Sequence, residues 1–162
     1  MPDCFHTALT GKLPNLRRFA LSLCRSAHVA DDLVQITVER ALVARKSYDP
    51  SSRIEFWLFR ILRNAWIDMT RKQKVRGQEL DIHDAPDLGG EESHQGETRL
   101  MVATVLEAVD QLPREQREVV VLVCLEELSY AEAADILSVP KGTIMSRLSR
   151  ARTAIALKTG IR

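Results

Sequence analysis

Cysteine, glycine, proline and aromatic residues are all scarce in this chain. Its three cysteines, Cys4, Cys24 and Cys124, are an odd number at wide spacing without a C-x-x-C pair. That argues against a disulfide framework and for reduced, mostly buried thiols. The four histidines, His6, His28, His83 and His94, share no ligand spacing with the cysteines, so no metal site is expected. Seven glycines, six prolines and 5% aromatic residues among 162 disfavour an all-β or fibrous chain. No phosphate-binding glycine loop or nucleophile elbow occurs, so neither a catalytic constellation nor a cofactor is expected. The longest apolar run, Val119 to Leu125, is far shorter than the roughly 20 residues a membrane-spanning helix requires. No membrane insertion is expected. Met1-Pro2-Asp3-Cys4 lacks the basic-then-apolar pattern of a signal peptide, which implies a cytoplasmic protein.

Net charge is also small, +1 from 23 Lys plus Arg against 22 Asp plus Glu, but its distribution is uneven. Residues 60–76 carry Arg60, Arg63, Arg71, Lys72, Lys74 and Arg76 against Asp68 alone. Residues 77–98 then carry seven acids and no Lys or Arg, and residues 126–135 add Glu126, Glu127, Glu132 and Asp135. From 138 to the end there are six basic residues and no acid. Two basic segments separated by an acidic one are consistent with a nucleic-acid partner in a way the total conceals. The stretch 77–98, with Gly77, Pro86, Gly89, Gly90 and Gly96 and little periodicity, cannot bury enough apolar surface to offset its ordering entropy. It reads as a flexible acidic linker between two small domains, 1–76 and 99–162.

Both domains read as all-α. In the first, Leu16, Phe19, Ala20 and Leu23 form one apolar stripe, and Leu33, Ile36, Val38, Ala41 and Leu42 form another. Tyr48-Asp49-Pro50-Ser51-Ser52 reads as a loop. A long helix follows from about Arg53 to Arg71, with Leu58, Ile61, Leu62, Ala65 and Met69 toward the core. Arg60, Arg63, Asn64, Ile67, Arg71 and Lys74 recur on a different face, near Phe56, Trp57, Phe59 and Trp66. In the second domain, Leu100, Ala103, Leu106 and Val109 predict an amphipathic helix ending near Gln111. Pro113 suits the first turn of the next helix, and Val119 to Leu125, apolar all round, predicts a buried centre. Ser129-Tyr130-Ala131-Glu132 is a capping-box sequence. A short alanine-bearing helix, a turn at Ser138-Val139-Pro140-Lys141-Gly142 and a final acid-free helix make up a helix-turn-helix unit, whose second helix suits the DNA major groove. There Met145, Ser146, Ser149 and Arg150 face away from Ile144 and Leu148, while Lys141, Thr143, Arg147 and Arg152 flank them as phosphate ligands.

Together these features resemble the bacterial extracytoplasmic-function (group 4) sigma factors of RNA polymerase, over about 10–76 and 99–160. The carriers are Ala30 to Leu42 (ADDLVQITVERAL), Phe56 to Asp68 (FWLFRILRNAWID), Leu112 to Arg117 (LPREQR) and Gly142 to Arg152 (GTIMSRLSRAR). The resemblance implies a factor that binds core RNA polymerase and directs promoter-specific initiation, in a stress response and under an anti-sigma protein. It places Asp31, Asp32, Gln35, Val38 and Arg40 against the β′ clamp helices, with the β flap as a further contact. Tyr48, Arg53, Arg60, Arg63, Asn64 and Arg71 would meet the −10 element, the loop from Asp49 to Arg53 accepting an extruded base. Lys141, Thr143, Met145, Ser146, Arg147, Ser149, Arg150 and Arg152 would meet the −35 element. Met145, Ser149 and Val38 depart from the residue types common in the family. An alternative function is a sigma-like mimic that sequesters an anti-sigma protein without binding DNA. The basic residues Arg147, Arg150 and Arg152 favour a working factor, and the Asp32/Gln35 pattern disfavours a simple helix-turn-helix repressor.

Overall fold

A computed structural model describes residues 3–77 and 96–161; most of the expected linker, 78–95, lies outside the described residues. The chain divides into two compact units, Met1–Asp84 and Ala85–Arg162. The described residues are helical and contain no strand, as the 3.6-residue periodicity implies.

The first unit holds α1 (Cys4–Gly11), α2 (Leu13–Cys24), α3 (Ala27–Val43), a 3₁₀ turn at Arg45–Ser47 and α4 (Ile54–Arg76). Caps punctuate them. Asp3 accepts from the Phe5 amide at the start of α1, and Ser26 accepts from Val29 at the start of α3. Pro14 sits in the first turn of α2, where a missing N–H costs no hydrogen bond. Gly77 ends α4 with φ +68°, a left-handed conformation glycine adopts without a Cβ penalty. The α2, α3 and α4 helices pack on one another through Leu16, Phe19, Leu33, Ala41, Leu58, Leu62 and Ala65. At the centre the Phe19 and Phe59 rings meet edge to face, with centroids 5.3 Å apart, a geometry worth about 0.5–1.5 kcal/mol beyond area burial. Phe59 and Trp66 are therefore core residues. Leu42, placed in the core stripe by its spacing, is 41% exposed, because it lies about 100° of helix rotation past the buried Ala41, on the outer side of α3.

The second unit holds α5 (Glu97–Asp110), α6 (Arg114–Val120), a π-helical turn at Val121–Leu125, α7 (Tyr130–Leu137) and α8 (Lys141–Thr159). Glu97 and Thr98 thus belong to α5. Pro113 is the N-cap of α6 rather than its first residue. Val119, Val120, Val121 and Leu122 are buried, but Cys124 is exposed and Leu125 is 39% exposed. The π turn rotates the end of the expected all-buried helix outward. Cys4 is exposed as well, so only Cys24 is a buried thiol. The α5 stripe is covered only in its second half: Ala108 and Val109 are buried, whereas Leu100 is 72% exposed. Arg117, itself buried, donates to the carbonyls of Asp110 and Leu112 at 3.3 and 3.0 Å. It thereby satisfies acceptors that the end of α5 would otherwise strand.

Lys12, between α1 and α2, reaches the Glu55 carboxylate in the first turn of α4 at 2.5 Å. Partial burial pushes the Glu55 carboxyl upward. The hydrogen bond from Lys12, the Glu55 backbone amide and the charges of Lys12 and Arg53 more than offset this and hold it below the ordinary value of 4.5. A depressed folded pKa means the stabilisation is complete above that ordinary value and is lost as pH falls through the folded one. Replacing Lys12 with Met should therefore lower the urea midpoint near neutral pH and have little effect in acid. An effect independent of pH would show that the pair is not its source.

Candidate nucleic-acid and protein interfaces

With Leu33, Thr37 and Ala41 of α3 buried, the opposite face of that helix is left outward. Asp31, Gln35, Val38 and Leu42 fall along one line by helical spacing, and Asp32 and Glu39 lie beside it. Asp31, Asp32, Gln35 and Glu39 are exposed and Val38 is half-buried. Two of the carboxylates are loosely paired: Asp31 accepts from Arg17 Nε at 3.0 Å, and Asp32 lies 3.7 Å from His28 Nε2. The patch begins acidic and ends apolar, since Leu42 and the 89% exposed Val43 close it. Arg40 is not on this line. It turns toward α4, where its Nη1 donates to Asp68 at 2.9 Å. Sequence reasoning missed Leu42 and Val43 as surface residues, although the seven-residue step from Gln35 to Leu42 was the available signal.

On α4, burial of Leu58, Leu62, Ala65 and Trp66 leaves Arg60, Asn64 and Arg71 exposed along the other side, with Arg63 half-buried among them. The Arg60 guanidinium lies over the Phe56 ring at 5.7 Å. Arg53, exposed, precedes α4 as its N-cap residue. The loop before it is internally bonded. Asp49 Oδ1 accepts from the Ser51 amide at 2.9 Å and from the Ser51 hydroxyl at 2.7 Å, and Ser52 Oγ donates to the Asp49 carbonyl at 2.8 Å. The Ser51 hydroxyl and amide hold the Asp49 carboxyl below its ordinary range, so it is an anion at neutral pH. Tyr48 is placed differently from the arginines: it is half-buried, its ring packs on Phe5 and Trp57, and its hydroxyl donates to the Ser52 carbonyl at 3.0 Å.

In the second unit the helix-turn-helix is built as its sequence implies. Ser129 and Glu132 form the full capping box of α7, with reciprocal bonds of 3.1 and 3.0 Å. Ser138 adopts φ +55° to end α7, and Pro140 opens α8. Ile144, Leu148 and Ala151 are buried, while Lys141, Met145, Ser146, Ser149, Arg150 and Arg152 are exposed. Thr143 is half-buried. Arg147 turns inward, with its Nη2 3.7 Å from Glu115 of α6 and its side chain 19% exposed. A bare helix face carrying Arg150 between two small serines can enter a major groove, with Lys141 and Arg152 toward the backbones.

The family described as Sigma-70 region 2 matches residues 11–76, and Sigma-70, region 4, matches residues 103–155. A relative named ECF RNA polymerase sigma factor EcfG, from Rhodopseudomonas palustris, is 38% identical over 96% of this chain and 85% of its own length. The chain belongs to the extracytoplasmic-function sigma factors. It is accordingly a promoter-specific initiation factor that binds core RNA polymerase and promoter DNA. The ECF RNA polymerase sigma factor SigM of Bacillus subtilis is 37% identical, covering 83% of this chain and 82% of that one. Among solved structures, the Bartonella quintana sigma factor RpoE in complex with the anti-sigma factor NepR is similar, with a TM-score of 0.78. That protein is 31% identical to this sigma factor, with 97% of each chain covered.

Replacing Arg150 with Ala in this sigma factor should weaken holoenzyme binding to −35-containing duplex by about tenfold, within the range of a lost base contact of about 1–3 kcal/mol. Affinity for core polymerase should be unchanged. Equal loss of both, measured by electrophoretic shift and by core titration, would mean that Arg150 serves the fold instead.

Proposed function

We propose that the three exposed faces divide the work of promoter-specific initiation. The α3 patch of Asp31, Asp32, Gln35 and Val38 docks on the β′ clamp helices, with Arg40 steadying α3 against α4. Arg53, Arg60, Arg63, Asn64 and Arg71, with the loop from Asp49 and Tyr48 beneath it, meet the −10 element and hold its opened strand. Lys141, Thr143, Met145, Ser146, Ser149, Arg150 and Arg152 meet the −35 element as duplex. Arg147 joins them from its place beside Glu115, and the same unit carries the β flap contact. Residues 1–76 and the unit that begins with Glu97 of α5 are then the two working domains, with the residues between them as the link, in the cytoplasm. The observation that carries this reading is the acid-free outer face of α8 set opposite a buried Ile144, Leu148 and Ala151 stripe. A mimic that only sequesters an anti-sigma protein does not need that basic face.

Control by an anti-sigma protein in a stress response fits the same reading, since the similar Bartonella quintana sigma factor is seen in complex with one. Such a partner would cover the α3 patch or the α8 face.

Run-off transcription on genomic DNA with core polymerase and this protein should give discrete promoter-specific starts that fall steeply with salt, as phosphate contacts release counterions. Adding purified products of the neighbouring genes should silence those starts in at least one case. Absence of any specific start would refute the initiation reading. Starts that no neighbouring product suppresses would refute local anti-sigma control alone.

A further inference from the structure

Among the described residues, an aromatic cluster of Phe5, Tyr48 and Trp57 lies against the loop that precedes α4. Phe5, 9% exposed on α1, packs against Tyr48 at 5.9 Å and Trp57 at 6.0 Å between ring centroids. Tyr48 and Trp57 themselves meet at 5.1 Å. The cluster is pinned at its outer edge. Arg45 of the 3₁₀ turn lies 5.3 Å over the Phe5 ring and pairs with the Asp3 carboxylate, which also caps α1. One charged side chain thus ties the start of α1 to the turn that leads into Tyr48.

From this cluster the Tyr48 hydroxyl projects into the loop and donates to the Ser52 carbonyl at 3.0 Å. Ser52 in turn donates through its amide and its hydroxyl to the Asp49 carbonyl at 3.0 and 2.8 Å. The loop is therefore closed from both ends, by Asp49 at its start and by Tyr48 across it. A short loop of exposed Asp, Pro and Ser has no apolar core of its own to hold a shape. Its conformation depends on these bonds and on the aromatic platform below.

We infer that Tyr48 is a positioning residue for −10 readout, and that α1 is the strap that holds it. Its hydroxyl keeps residues 49–53 in the form that receives an unpaired base, and Phe5 with the Asp3–Arg45 pair keeps Tyr48 in register. The ring itself packs on protein, so Tyr48 works through the loop and not by stacking on DNA. This rests on the reading of that loop as the base-accepting element.

The test uses holoenzyme on a forked promoter fragment, mapped from a run-off start, whose extruded base is intact or replaced by an abasic site. Wild-type protein should prefer the intact base. Tyr48→Phe keeps the ring and removes the tether, and should shrink that preference by about three- to tenfold, the scale of one hydrogen bond. Phe5→Leu, far from any base, should shrink it in the same direction. Core binding and −35 duplex binding should be unchanged for both. If wild-type protein shows no preference for the intact base, the loop reading falls, and the inference with it. If wild-type protein prefers the base and Tyr48→Phe keeps the full preference, the positioning role alone is overturned. A loss on Tyr48→Leu with none on either Tyr48→Phe or Phe5→Leu would assign Tyr48 to direct stacking instead.

Discussion

Burial of one apolar stripe per helix is the constraint on which everything else in this molecule depends. Along α4, Leu58, Leu62 and Ala65 are all but inaccessible to solvent, and their rotation about the helix axis decides that Arg60, Asn64 and Arg71 point outward. Along α8, Ile144, Leu148 and Ala151 do the same for Met145, Ser149 and Arg150. Both basic faces are by-products of packing. A helix turned by one residue, about 100°, would hide its arginines and expose its leucines. Functional geometry in this sigma factor is thus held by hydrophobic burial, at about 1.5–3 kcal/mol per large side chain, rather than by the surface ion pairs.

Those ion pairs sort the charges instead of holding the fold. Exposed pairs such as Arg17–Asp31 and Arg40–Asp68 are individually weak. Yet they take Arg40 away from the α3 patch and leave that patch acidic at one end and apolar at the other. Arg147, drawn toward Glu115, is likewise removed from the outermost row of α8, which makes Arg150 the central cation of that row. A chain with a net charge of only +1 therefore presents distinct acidic and basic surfaces, each suited to a different partner.

Much of this was legible in the residue order. The capping box at Ser129 and Glu132, the turn before α8, the loop at Asp49 to Ser52 and the core stripes of α2 and α4 all follow from local chemistry that needs no distant partner. The readings that failed all concern burial. Leu42 falls one residue past the buried Ala41, on the outer side of α3, and Leu100 lies in the exposed first half of α5. Cys124 and Leu125 are apolar in an apolar run, but a π turn rotates them out. Arg40 and Arg147 each sit beside an acid of another helix, Asp68 and Glu115, pairings that no local pattern shows.

By itself, then, the sequence determined the fold class, the helices with their buried stripes, the helix-turn-helix and the family, because periodicity, caps and motif spacing are local properties. Only the tertiary structure decided which charges are paired across helices, where an apolar stripe runs out of cover, and that Phe5 meets Tyr48 and Trp57 beneath a loop more than forty positions along the chain. The physical reason is that these depend on where helix ends stop relative to one another. That is set by packing between segments distant in sequence, and no local pattern encodes it.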